Sequence, residues 1–144
     1  MCIRDRALEI LEKLTEDPDP TPEDEAHYLS RSSDPSTLSI NTIRGEAMHA
    51  VVQAALWIRR TFENAPNREA LVARGLEEMP EVRLVLERRL NPAIDSSLTT
   101  RSVYGRWLPA LHFLDRQWFE QHLDKIFPRD ERLRALYDLS LIHI

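Results

Sequence analysis

Glycine is nearly missing from this sequence, with three residues in 144. That scarcity disfavours folds built on many tight turns, such as sandwiches and barrels. β-Branched residues are also sparse, whereas the good helix formers Leu, Ala, Glu and Arg dominate. There is one cysteine, Cys2, so no disulfide can form within the chain, and a reducing cytosol is the compartment it fits. No apolar run reaches the ~18 residues of a membrane span. The longest, Ala47 to Ile58, is interrupted by His49 and Gln53. No basic-then-apolar leader opens the chain, so a cytoplasmic location is expected. A net charge of -5 gives no general attraction to phosphate backbones or anionic lipids. Neither nucleic acid nor a membrane is therefore expected as a partner.

Hydrophobic residues make up 42% of the chain, enough to build a core. The spacing of Ala7, Ile10, Leu11 and Leu14 predicts a first helix from about Arg6 to Thr15 with those four facing inward. Pro18, Pro20 and Pro22 forbid its continuation. Between Glu16 and Glu25 there are six acidic residues and no base, which reads as an extended, solvated linker. Thr21 and Pro22 are placed to start a short helix over Glu23 to Arg31, and Asp34-Pro35 marks a turn.

The strongest pattern runs from about Ile40 to Asn64, with Ser39 as the expected cap. Ile40, Ile43, Ala47, Val51, Ala54, Ile58 and Phe62 form one stripe, which Met48, Val52, Ala55 and Leu56 widen. The polar strip that remains holds Thr42, Glu46, His49, Gln53 and Arg60. A helix apolar nearly all round must be covered on several sides, which makes it central.

Further helices are predicted over Arg68 to Glu78 with Asn67 as cap, and over Glu81 to Leu90 behind Pro80. Ser96 or Ser97 caps the next, through about Phe113, which Pro109 should kink or split. Asp115 caps one to Ile126 that turns Trp118, Phe119, Leu123, Ile126 and Phe127 inward, and Asp130 caps a last one with Leu133, Leu136 and Tyr137. Short connections place successive helices side by side and antiparallel. Thr42-Ile43-Arg44 and Thr99-Thr100-Arg101 echo one another near two helix starts, a faint pointer to repeats.

Two resemblances bear on organisation. Met1-Cys2-Ile3-Arg4-Asp5-Arg6 and Leu139-Ser140-Leu141-Ile142-His143-Ile144 resemble the translated sequencing-adapter reads that contaminate metagenomic assemblies. On that resemblance, residues 1–6 and 139–144 are taken as non-native ends. The expected organisation is then a first helix at 7–15, an acidic, proline-rich linker at 16–39 and a helical-repeat region at 40–138. The region Asn41 to Phe127, from Thr42-Ile43-Arg44-Gly45-Glu46-Ala47 onward, resembles HEAT-like α-solenoid segments. Ser102-Val103-Tyr104-Gly105-Arg106 and Lys125-Ile126-Phe127-Pro128 look similar to helical C-terminal regions of large bacterial STAND-type NTPases, some of them involved in phage defence. The fold class expected is all-α, with antiparallel helices packed as an α-solenoid fragment; an irregular helical bundle is the alternative. The resemblance implies a sensing or docking surface in a larger parent and no catalysis in this segment.

The chemistry-bearing residues agree with that implication. His27, His49, His112 and His122 show no metal-ligand spacing, so no metal site is expected. Gly45, Gly75 and Gly105 are isolated and make no phosphate loop, so no cofactor site is expected. Glu77, Glu78, Glu120 and Asp124 read as solvated helix faces rather than an acid-base pair. No strand-turn-helix elbow surrounds a serine, and no catalytic residue is assigned. The pairs Arg59-Arg60 and Arg88-Arg89 read as solvent-facing charges complementing helix C-termini. Trp107 and Trp118 lie on core stripes, whereas Trp57 flanks its stripe and is the aromatic expected to meet a partner. The expected partner is a protein, or the remainder of a parent chain. A self-contained bundle with a ligand-binding or enzymatic role is the alternative.

Overall fold

The computed structural model describes residues 3–31 and 34–129. Among them every regular element is helical and none is a strand. In chain order the helices are α1 (Ile3–Thr15), α2 (Pro22–Arg31), α3 (Pro35–Ser39), α4 (Ile43–Thr61), α5 (Arg68–Arg74), α6 (Pro80–Leu90), α7 (Leu98–Arg106), α8 (Leu108–Leu114) and α9 (Arg116–Ile126). Single 3-10 turns follow α4 at Phe62–Asn64 and α5 at Gly75–Glu78.

Helix α4 is central, as its composition requires. It touches α1, α3, α6, α7 and α8. Met48, Val51, Val52, Ala55 and Ile58 carry the core from α4, against Leu86, Leu90, Tyr104 and Leu111. Tyr104 is fully buried, and its hydroxyl donates to the Leu86 carbonyl at 2.8 Å, which satisfies its one polar atom.

The caps follow local chemistry. Thr21 Oγ1 accepts from Asp24 N and donates to the Asp24 carboxylate, a reciprocal start for α2. Asp34 caps α3 through Ser36 N and Thr37 N, with Pro35 in the first turn. Ser97 caps α7 and Asp115 caps α9. Pro109 falls in the first turn of α8, so the long helix expected there is split at Trp107.

Several expectations are corrected. On α1 Leu8 and Thr15 are buried and Leu11 packs half-buried against the core as expected, while Ala7, Ile10 and Leu14 are exposed. α1 packs on both α4 and α6, and seating Leu8 in the core turns the expected stripe to one side. The helix also starts at Ile3, where Arg4 Nη2 donates to the Glu78 carbonyl at 3.3 Å.

The acidic segment after α1 is tied down at Asp19 and Pro20, whereas Glu16, Glu23 and Asp24 are exposed as expected. Arg44 N donates to the Asp19 carbonyl (2.9 Å), Ile43 N to Asp19 Oδ2 (2.8 Å), and Arg44 Nη2 to the Pro20 carbonyl (2.8 Å). Asp19 thus satisfies the first amide of α4, and Thr42, at the cap position, turns its hydroxyl to the Leu38 carbonyl rather than to α4. Ser39, the expected cap, lies inside α3, and Ile40 follows as an exposed cap residue. Leu123, expected inward, is exposed on α9. The helix expected from Asp130 lies outside the described residues.

Candidate functional site

Three places bring chemistry together. The first is polar and buried. His49, expected on a solvent-facing strip, is 5% exposed between α3 and α8. Trp107 Nε1 donates to His49 Nδ1 at 2.8 Å, and His49 Nε2 meets Ser39 Oγ at 2.9 Å. An indole nitrogen can only donate, so Nδ1 holds the lone pair and Nε2 carries the proton. The proton therefore points at Ser39, whose own hydroxyl donates to the Ser36 carbonyl at 2.7 Å. A serine nucleophile needs the opposite polarity, with the imidazole accepting from the hydroxyl. The three side chains form a closed structural network. Burial, and then the positive charge of Arg106, push the His49 pKa down to about 4, so the ring is neutral near pH 7.

The second place is an arginine cluster on the loop between α6 and α7. Asp95 is 3% exposed. Arg44 Nε lies 3.7 Å and Arg89 Nη1 3.6 Å from Asp95 Oδ2, and Arg101 Nη2 donates to the Asp95 carbonyl at 3.5 Å. Arg101 also donates to the carbonyls of Leu90 and Lys125. The echoed segments thus deliver Arg44 and Arg101 to the same loop. Arg89 was expected in solvent; instead it is buried, and desolvation lowers its pKa from the ordinary arginine value. Arg59 is buried as well, 5.2 Å over the Phe113 ring, whereas Arg60 and Arg88 are exposed as expected. Helix termini alone do not account for Arg59 and Arg89. Beside Arg44 and Asp95 the Pro18–Pro22 segment leaves a cleft of about 270 Å³, mixed in charge because Glu25 also faces it.

Glu25 has a structural task that the sequence reading missed. Its carboxylate accepts from Ser97 Oγ, Leu98 N, Thr99 N and Thr99 Oγ1. It sits at the N-terminus of α7, where negative charge and acceptors are both favoured. A count of linker charges cannot reveal a contact 72 to 74 residues away.

The third place is apolar and open. α1 runs antiparallel to α4, so Leu14 near one end of α1 meets Ile43 at the start of α4. Between them lies a groove of about 450 Å³ floored by Ala47 and Ala50. Ile3, Ala7, Ile10 and Leu14 recur at spacings of four, three and four, and all are exposed. Ile43, Ala47, Ala50, Ala54 and Trp57 repeat that spacing on α4, with Ile43 47% and Trp57 54% exposed. The two rows meet at the groove, where Leu14 lies beside Ile43, Ala47 and Ala50. Trp57 thus reaches the surface at the far end of an apolar row, as its flanking position suggested.

The other sequence candidates stay apart. His27 and His112 are exposed, and His122 stacks on Trp118 with centroids 4.5 Å apart. Glu120 pairs with Arg116 at 2.8 Å, Glu78 pairs with Arg74 at 2.6 Å, and Asp124 and Glu77 face solvent. Among the described residues no group of three or more His, Cys, Asp or Glu is placed to hold a metal ion. No helix among them is long and apolar enough to cross a membrane. Comparison with family models, curated proteins and solved structures finds no match for this chain.

Proposed function

We propose that this chain is a non-catalytic, protein-interaction segment of a larger, cytoplasmic bacterial protein, working through the apolar groove between α1 and α4. The single observation that carries this is the open groove lined by Leu11, Leu14, Ile43, Ala47 and Ala50, with the large apolar side chains of Ile10, Leu14 and Ile43 exposed along it and beside it. Soluble monomers scatter exposed apolar residues singly, and a contiguous patch marks a binding surface. The STAND-type resemblance gives one form of such a parent, in which this segment is the sensor region of a defence-type NTPase. For the finer architecture, two contacts favour the irregular bundle over the HEAT-like solenoid. α1 packs on α6 and α3 packs on α7, skipping the sequential neighbours that a solenoid repeat touches.

The test is site-specific photocrosslinking in bacterial cells, with benzoylphenylalanine placed at Ile10 on α1 and, away from the groove, at the exposed Gln117 on α9. A discrete adduct from position 10 and none from position 117 is expected. No adduct from either position sinks the interaction reading. An adduct from position 117 alone keeps an interaction protein and moves its surface to α9.

A further inference from the structure

Three arginines are buried among the described residues. Arg89 faces Asp95, and Arg101 donates to the carbonyls of Leu90, Asp95 and Lys125. Arg59 has neither kind of partner. It is 8% exposed, and its Nε and Nη1 are buried without a hydrogen bond. No ion pair among the described residues reaches it. Its charge rests on the Phe113 ring, 5.2 Å away, and on the C-terminal pole of α4. Neither accepts a strong hydrogen bond from the guanidinium, and a buried charge without one is costly. Nothing nearby in the chain fills the role. Glu63 stands four residues on, the spacing of a helical ion pair, but α4 ends at Thr61 and Glu63 falls in the 3-10 turn, exposed. Asp115, just past α8, is committed to Leu76 N and Trp118 N. Phe113 is itself 58% exposed, so what covers Arg59 on that side is one side chain in contact with water.

We propose that Arg59 is an anchor for a carboxylate side chain of a partner protein, with Phe113 as its movable cover. The glutamate or aspartate displaces the ring from the guanidinium and accepts two parallel N–H bonds from it. The displaced ring turns from water to the partner's surface. An arginine beside an exposed aromatic is the composition of an interface hot spot. A phosphate group suits the place less well, because it calls for further cations. The neighbouring Arg60 is exposed and points about 100° away around α4. The anchor lies on the α8 side of α4, whereas the groove lies against α1. It rests on the reading of the chain as a protein-interaction segment and adds a second contact, of stated chemistry, to the groove.

The probe is a blocked pentapeptide, acetyl-Gly-Gly-Glu-Gly-Gly-amide, with twins carrying glutamine or phosphoserine at the centre. Each is titrated into the full isotope-labelled chain. The Nε–Hε resonance of Arg59, assigned by its loss in Arg59→Met, is followed by NMR. The glutamate peptide is expected to shift that resonance saturably, and the glutamine twin to bind at least roughly tenfold more weakly, as for loss of a charged hydrogen-bonded pair. Arg60→Met should leave the shift in place. Arg59→Met should keep a thermal midpoint at or above the parent's, because it removes a buried charge that has no partner. Equal shifts with the glutamate and glutamine peptides, or no shift with either, overturn the proposal. So does a midpoint in Arg59→Met well below the parent's, which would make Arg59 a structural cation satisfied by Phe113. Tighter binding of the phosphoserine twin by roughly tenfold or more overturns the choice of a carboxylate. The groove fails separately: no crosslink from position 10 with the glutamate shift intact sinks the groove and leaves the anchor, and the reverse sinks the anchor and leaves the groove.

Discussion

A methyl group at position 45 would lie 2.1 Å from the Ser39 carbonyl oxygen, far inside contact distance. Only glycine lets α3 approach α4 so closely there. Gly45→Ala is expected to destabilise the chain by about 3 kcal/mol, read as a lower urea midpoint with an unchanged slope. A neutral result would mean that α3 can move away without cost. His49 gives a pH signature. Its folded pKa, about 4, lies below the unfolded value of 6.5. A depressed value in a base means that the unfolded state binds the proton more readily. The His49 contribution is therefore complete above pH 6.5 and is lost as pH falls from 6.5 towards 4. At about 1.4 kcal/mol per pKa unit the loss is on the order of 3 kcal/mol. Denaturant titrations at pH 7 and pH 4.5 measure it, and the same slope in His49→Gln would assign it to another group. Asp95→Ala leaves Arg44 and Arg89 near a vacated carboxylate. A drop of about 3–5 kcal/mol is expected, because an unpaired buried charge costs more than the pair contributes. Stability within 1 kcal/mol of the parent would mean that water reaches both guanidinium groups.

Among the elements, α7 shows most clearly how distant segments complete local structure. Its cap, Ser97, is local and readable. Its remaining amides and Thr99 Oγ1 turn to Glu25 on α2. Glu25→Ala should cost about 2 kcal/mol by removing those acceptors together, and hydrogen exchange of the Leu98 and Thr99 amides should quicken before that of α4. Uniform quickening would place Glu25 in the global stability of the chain instead. At the end of α5, Gly75 takes φ 53, and a Cβ there would lie 2.6 Å from Asp115 Oδ2. The same carboxylate accepts from Leu76 N at 3.0 Å and caps α9 through Trp118 N at 2.8 Å. One residue thus joins two helix ends that the sequence presents as unrelated turns. Pro22, Pro80 and Pro109 act as their local physics implies and fall in the first turn of a helix, whereas Pro35, expected in a turn, opens the short helix α3 behind the Asp34 cap.

At the scale of the whole molecule, α4 is surrounded on several sides except along the groove it shares with α1. Ile10→Asp removes an exposed side chain, so its effect on folding is expected to stay within about 0.5 kcal/mol, while it abolishes the crosslink from the neighbouring position 14. A large loss of stability would mean that Ile10 supports the core and that the groove is only an edge of it.

The sequence by itself determined the helical class, the central role of α4 and most helix starts, because these depend on periodicity and on caps within four residues. It also determined the core face of α6, where Val82, Val85, Leu86 and Leu90 are all buried as their spacing implies. Only tertiary structure decided which way α1 turned. Leu8 and Leu11 point into the core, Ile10 and Leu14 lie beside it, and periodicity cannot choose between overlapping arcs when two neighbours share the burial. Tertiary contacts also took His49, Arg59, Arg89 and Glu25 out of the solvent-facing roles their positions suggested. What these side chains meet comes from elsewhere in the chain: Trp107 for His49, the Phe113 ring for Arg59, Asp95 for Arg89, and Ser97 to Thr99 for Glu25. The apolar groove followed from the same choice: once Leu8 was seated, the row of Ile3, Ala7, Ile10 and Leu14 was left facing water.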